Sequence, residues 1–140
     1  MRFYSHQHRF YCGIDLHARS MHVCILDHDG QVVYDQNLSC QPQAFLRAVA
    51  PFRDGLVVGV ECMFAWYWLA DLCGQEKLPF VLGHALYMRL IYGAKAKNDR
   101  IDAHKFARLL RGGNFPLSYC YPRKNGVRDK WCQFILSLLP

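Results

Sequence analysis

Apolar residues recur along this chain with two periods, and the switching between them predicts the order of its elements. Phe10 to Asp15 reads Phe-Tyr-Cys-Gly-Ile-Asp, a short buried strand that ends on an acid. A polar bend over Leu16 to Ser20 leads to a second strand, Met21 to Asp27. Asp29-Gly30 joins it to a third, Gln31 to Leu38, because Asp-Gly between two strand-like runs suits the backbone of a tight hairpin. Pro42 is placed for the first turn of a helix whose apolar positions Ala44, Phe45, Ala48, Val49 and Phe52 recur at helical spacing, and Asp54-Gly55 ends it. Leu56 to Val60 is continuously apolar, as a central strand covered on both faces must be, and it closes on Glu61. An aromatic-rich helix follows from Phe64 to Gln75, then a short strand from Leu78 to Leu82 and a helical stretch from His84 to Ile91. A basic connector, Tyr92 to Lys97, precedes a helix from about Asn98 to Arg111 that Gly112-Gly113 stops.

That order is a three-strand meander joined to βαβ crossovers. Right-handed crossovers lay the fourth strand beside the first, so an α/β fold is expected, a mixed sheet of about five strands with helices on both faces. The expected organisation is an N-terminal extension over 1–9, one domain over 10–121, and a distinct tail over 122–140. In the tail, Arg123-Lys124-Asn125-Gly126 is a solvated turn and Trp131 to Leu139 is apolar.

Composition narrows the class. A chain of 140 residues, 52% hydrophobic and 20% charged, is one globular domain and not a disordered or low-complexity segment. Lys and Arg number 17 against 11 for Asp and Glu, and the resulting charge of +6 favours a polyanionic partner. The seven cysteines are scattered through apolar runs and are expected to be reduced thiols. The first ten residues hold no signal-peptide core, so a cytoplasmic location is expected. Glu61 and Asp71 interrupt the longest apolar stretch, Leu56 to Cys73, which argues against a membrane span.

Four acids carry the candidate chemistry. Asp15 closes the first strand and Glu61 the fourth, and adjacent strands bring the two carboxylates together. Asp99 and Asp102, three apart, share one face of the last helix. If that face packs across the ends of the two strands, four carboxylates meet, and only divalent metal makes such a cluster tolerable. All-oxygen ligation selects Mg²⁺ or Mn²⁺, and two such ions can serve phosphodiester chemistry with one role each. Read singly, Asp15 also suits a turn cap, Asp99 a first-turn helix acid, and Asp102 a partner for Lys105 or Arg108. Lys95, Lys97, Arg100, Lys105, Arg108 and Arg111 gather around the same helix, as residues contacting nucleic-acid phosphates would, or as a solvated helix face.

Gly13-Ile14-Asp15-Leu16-His17, Val60-Glu61 followed by Trp66-Tyr67-Trp68-Leu69, and Lys97-Asn98-Asp99-Arg100-Ile101-Asp102-Ala103 together resemble the DEDD-type insertion-sequence transposases. The resemblance runs in order from about Tyr11 to Tyr121. It implies a RuvC-like domain of the ribonuclease H fold over 10–121, with Asp15, Glu61, Asp99 and Asp102 as the metal-binding catalytic tetrad. It also implies DNA transposition and recombination in a bacterial or archaeal nucleoid, a structured guide RNA and a homo-oligomer as partners, and no membrane. The family carries a further C-terminal domain with a serine nucleophile. Val127-Arg128-Asp129 resembles the start of its connecting helix before the sequence diverges, so a truncated or frameshifted copy is expected.

The alternatives are a catalytically inactive remnant that only binds nucleic acid, and a cellular Holliday-junction resolvase-like nuclease with the same fold and tetrad. A sugar-kinase or actin-like ATPase also opens with Gly-Ile-Asp, but His17-Ala18-Arg19-Ser20 is not a phosphate loop. Zinc is disfavoured because no Cys-x-x-Cys or His-x-x-x-His pair has its complement. His17 and His22 read as hairpin surface residues.

Overall fold

The computed structural model describes residues 2–62, 66–92 and 99–118. Among these residues seven strands and four α-helices follow in chain order: β1 (Phe3–Tyr4), β2 (Phe10–Leu16), β3 (Ser20–Asp27), β4 (Val32–Ser39), α1 (Pro42–Val49), β5 (Leu56–Glu61), α2 (Tyr67–Gln75), β6 (Phe80–Gly83), α3 (Ala85–Tyr92), α4 (Asp99–Gly112) and β7 (Phe115–Pro116). A 3₁₀ turn over Ala50–Phe52 extends α1 to the end of its apolar periodicity.

The central sheet has five strands in the order β4-β3-β2-β5-β6. The pairs β2–β3 and β3–β4 are antiparallel, while β5 lies parallel to both β2 and β6. This mixed α/β sheet is the one the element order predicts, and it is consistent with the ribonuclease H-like fold that the resemblance implies. The β3–β4 hairpin forms where Asp-Gly predicts it. Gly30 takes a φ of +88°, Asp27 Oδ1 accepts from the amides of Asp29 and Gln31, and the Gly30 amide donates to the Asp27 carbonyl.

Strand alternation divides the core into two layers. One face presents Cys12, Ile14, Val23, Ile25, Val58 and Val60 to Phe45 and Val49 of α1 and to Leu69 and Cys73 of α2, all buried. The other face carries Tyr11, Val57, Val81, Cys24 and Leu26 and is covered by α4 through Ala103, Phe106, Ala107, Leu109 and Leu110. Helices therefore lie on both faces. At Gly13 the helix backbone comes so close that an added methyl would overlap the Ala103 carbonyl oxygen and the Ala107 amide nitrogen. The alanines at those two positions, one turn apart and fully buried, permit the approach.

The hydrophobic pattern signals no element before Phe10 or after Gly113, yet the structure pairs β1 with β7 in a second, two-stranded sheet. Tyr4 and Phe115 are fully buried there beside Met88 of α3. Two-residue strands carry too few positions for periodicity to register, and only the tertiary packing creates them. The Tyr4 hydroxyl bonds to His8 Nε2, and the His8 amide donates to the Tyr11 hydroxyl.

Burial, reinforced by His6, pushes the His8 pKa down to about 4. The unfolded chain titrates near 6.5, so between these values unfolding takes up a proton that the native state refuses. Stability is therefore expected to fall as pH drops from about 6.5 toward 4. Urea midpoints measured across this window should show a shallower fall for His8→Gln, which keeps a hydrogen-bonding group but does not titrate. An identical pH dependence in the variant would remove His8 from the effect.

Candidate functional site

Asp15, the last residue but one of β2, and Glu61, the last of β5, stand at the same end of adjacent parallel strands, and the register makes them neighbours. Ile14 pairs with Val60, so the next residue on each strand is the acid. Both lie two residues beyond glycines on the face that α4 covers, Gly13 and Gly59, and so belong to that layer. Carboxylates at the carboxyl ends of parallel strands sit where the chain leaves the sheet, so the strand interior stays apolar while the acids reach the edge. The Asp15 side chain is 13% exposed, and His17 Nε2 donates to its Oδ2 at 3.1 Å. His17, a surface residue in the sequence reading, is half exposed and at the same time a partner of the first acid.

Helix α4 runs antiparallel to β2 and β5. Ala103 packs over Gly13, Leu110 over Gly59, and Arg111 Nε donates to the His28 carbonyl at the far, hairpin end of the sheet. The N-terminal turn of α4 therefore lies at the end where Asp15 and Glu61 stand. Asp99 opens the helix and Asp102 is half-buried one turn before Phe106, whose cluster includes Tyr11 of β2 and Val57 of β5. The described trio Asp15, Glu61 and Asp102 thus shares one layer and one end of it. Among the described residues no three His, Cys, Asp or Glu side chains are grouped to hold a metal ion. The Asp99 side chain lies outside the described residues, as do Lys95 and Lys97.

The same end holds a cluster that sequence reasoning missed. Across β3, His22 is the register partner of Asp15, and its Nε2 donates to Asp35 Oδ1 from β4. Arg100 Nε of α4 donates to Asp35 Oδ2 at 2.8 Å. Burial raises the Asp35 pKa, but the hydrogen bonds from His22 and Arg100 and the Arg100 charge outweigh it and hold the carboxyl below its ordinary 3.8. Asp35 gave no sequence signal, since it stands in an edge strand of mostly exposed, non-alternating residues. Neighbouring His104 is pushed below its ordinary value by burial, then by Arg108.

The basic residues divide by engagement. Arg108 and Arg111 are exposed on α4, and Lys105 is half-buried. Arg100 and Arg111 each commit Nε to the fold, to Asp35 and to the His28 carbonyl. Burial, with Asp35 adding to it, pushes the Cys24 thiol up to about 12, and burial raises the Cys12 thiol as well. No helix among the described residues is long and apolar enough to cross a membrane.

No curated protein matches the chain. A family model described as a transposase, of the IS110-type DEDD kind, matches residues 12–128, a span that takes in Asp15, Glu61, Asp99 and Asp102.

Proposed function

Because the chain belongs to the DEDD transposases of the IS110 type, we propose that it acts on DNA phosphodiesters in transposition through two divalent cations, Mg²⁺ or Mn²⁺, held by Asp15, Glu61, Asp99 and Asp102. The observation that carries this reading is the placement of Asp15 and Glu61 side by side on the face α4 covers, at the end where α4 begins. The donor set fits such ions, being carboxylate oxygen throughout. Bound there, the cations supply Lewis-acid activation of an attacking hydroxyl and stabilise charge developing at the phosphate.

The chain's own residues do the rest. Strand ends fix Asp15 and Glu61 on rigid backbone, which holds the ligand positions better than loops would. His17, donating to Asp15, orients that carboxylate as an outer partner of a ligand does. The helix contributes Asp102 and Asp99 from its first turn, where carboxylates are favoured by the dipole. Lys95, Lys97, Lys105 and Arg108 supply phosphate contacts, with Arg100 and Arg111 adding their outer nitrogens. A structured RNA and a second copy of the chain are further partners under this reading.

Metal titration of the purified chain, followed by thermal unfolding, tests the proposal. Saturable stabilisation by Mg²⁺ or Mn²⁺ supports it, and no stabilisation at millimolar metal sinks it. For the basic face, Arg108→Ala should weaken DNA binding evenly across sequences and reduce the slope of log affinity against log salt by about 1. A loss confined to particular sequences would show base readout instead.

A further inference from the structure

The first turn of α4 carries a tether that the metal reading does not use. Arg100, between Asp99 and Asp102, reaches across to Asp35 of β4 at 2.8 Å. Asp35 is itself held by His22, and His22 pairs in register with Asp15. The side chains of His22 and Asp35 are 12% and 19% exposed, whereas that of Arg100 is 75% exposed. A continuous set of contacts thus links the neighbour of the strand acid to the residue that stands between the two helix acids.

Ile101, in this turn, is 36% exposed, and among the described side chains of the helix Ala103 is the first that is fully buried. A cation in the first turn is also disfavoured by the helix dipole, so local helix formation does not account for Arg100. A carboxylate waiting on β4 does. We propose that Asp35, acting through Arg100, is a positioning residue that locks the N-terminal turn of α4 against the sheet and sets Asp99 and Asp102 in register with Asp15 and Glu61. The metal part of this inference rests on the tetrad reading above. The tether itself does not.

Two readouts on the full chain separate the parts. The amides of residues 103–106 bond back to the carbonyls of residues 99–102, so they report whether the first turn is closed. In metal-free protein, Arg100→Ala should speed hydrogen exchange at 103–106 while leaving 108–111 as in the wild type, and Arg100→Lys should recover most of the protection. Unchanged exchange at 103–106 overturns the tether. In a Mn²⁺ titration, Arg100→Ala should weaken affinity about 10- to 100-fold, as loss of a supporting group does at other metal sites. Charge alone acts with the opposite sign, because removing a cation beside carboxylates tightens cation binding. Tighter or equal binding in Arg100→Ala therefore overturns the positioning role. If the wild type binds no Mn²⁺, the tetrad reading falls, the positioning of metal ligands falls with it, and the exchange result alone decides the tether.

Discussion

Replacing Gly13 by alanine is expected to lower the unfolding free energy by about 3 kcal/mol, the upper end of what overpacking costs. The added methyl would overlap the Ala103 carbonyl oxygen and the Ala107 amide nitrogen and lie 3.0 Å from the Phe106 carbonyl carbon. All three are backbone atoms of α4, so no side-chain rotation relieves the conflict. The helix must lift from β2, and with it the packing of Phe106 and Leu110 over Tyr11 and Val57. Domains of this kind are stable by only about 5–15 kcal/mol, so the loss should be plain in urea unfolding followed by circular dichroism. Ala103→Gly should not rescue the variant, because the obstacle is the carbonyl and not the methyl. A midpoint within experimental error of the wild type would mean that α4 does not approach the sheet as closely as described.

The second large effect is expected at Asp15. With metal at about 100 times its dissociation constant, the wild type gains about 2.7 kcal/mol. That corresponds to a rise in Tm of roughly 5–10 °C for a domain of this size. In Asp15→Asn the rise should vanish, since the amide offers a neutral oxygen in place of a charged one and the remaining acids must hold the cations alone. The metal-free variant should change by no more than about 0.5 kcal/mol, because the contact with half-exposed His17 is weak and its loss is offset by relief of repulsion among the carboxylates. Asp102→Asn should behave alike. Asp54→Asn, on a carboxylate 95% exposed and paired with Arg9, should keep the full shift. Metal-dependent DNA cleavage, where the wild type shows it, should disappear in parallel. A full metal shift retained by Asp15→Asn would remove that residue from the ligand set.

Both predictions arise at places where local pattern and tertiary contact meet. The Gly-Ile-Asp near the end of β2, which runs one residue further to Leu16, and the Val-Glu ending of β5 were legible because a run of apolar residues closing on an acid is costly unless the acid reaches an edge. Their adjacency followed from crossover handedness, and the register of Ile14 on Val60 agrees with it. The helix of Asp99 and Asp102 was legible from its periodicity and its glycine stop, and it begins and ends within a residue of the reading. The aromatic helix was expected from Phe64, whereas α2 begins at Tyr67, and residues 63–65 lie outside the described part. Nothing in the local pattern marked Asp35, His22 or the engagement of Arg100: His22 and Asp35 meet across the β3–β4 hairpin, and Arg100 joins them only when the helix docks.

The sequence alone thus determined the order of elements from β2 to α4, the mixed sheet and the hairpin at Asp29-Gly30, because each depends on short-range period, turn chemistry or the handedness of one crossover. Tertiary structure decided which face of the sheet α4 covers, how closely it approaches at Gly13, the pairing of β1 with β7, and the partners of Asp35 and Arg111. Apart from the His22–Asp35 contact across the hairpin, those features depend on contacts between residues many tens of positions apart, and no period in the chain records which of several compatible surfaces will be brought together by burial.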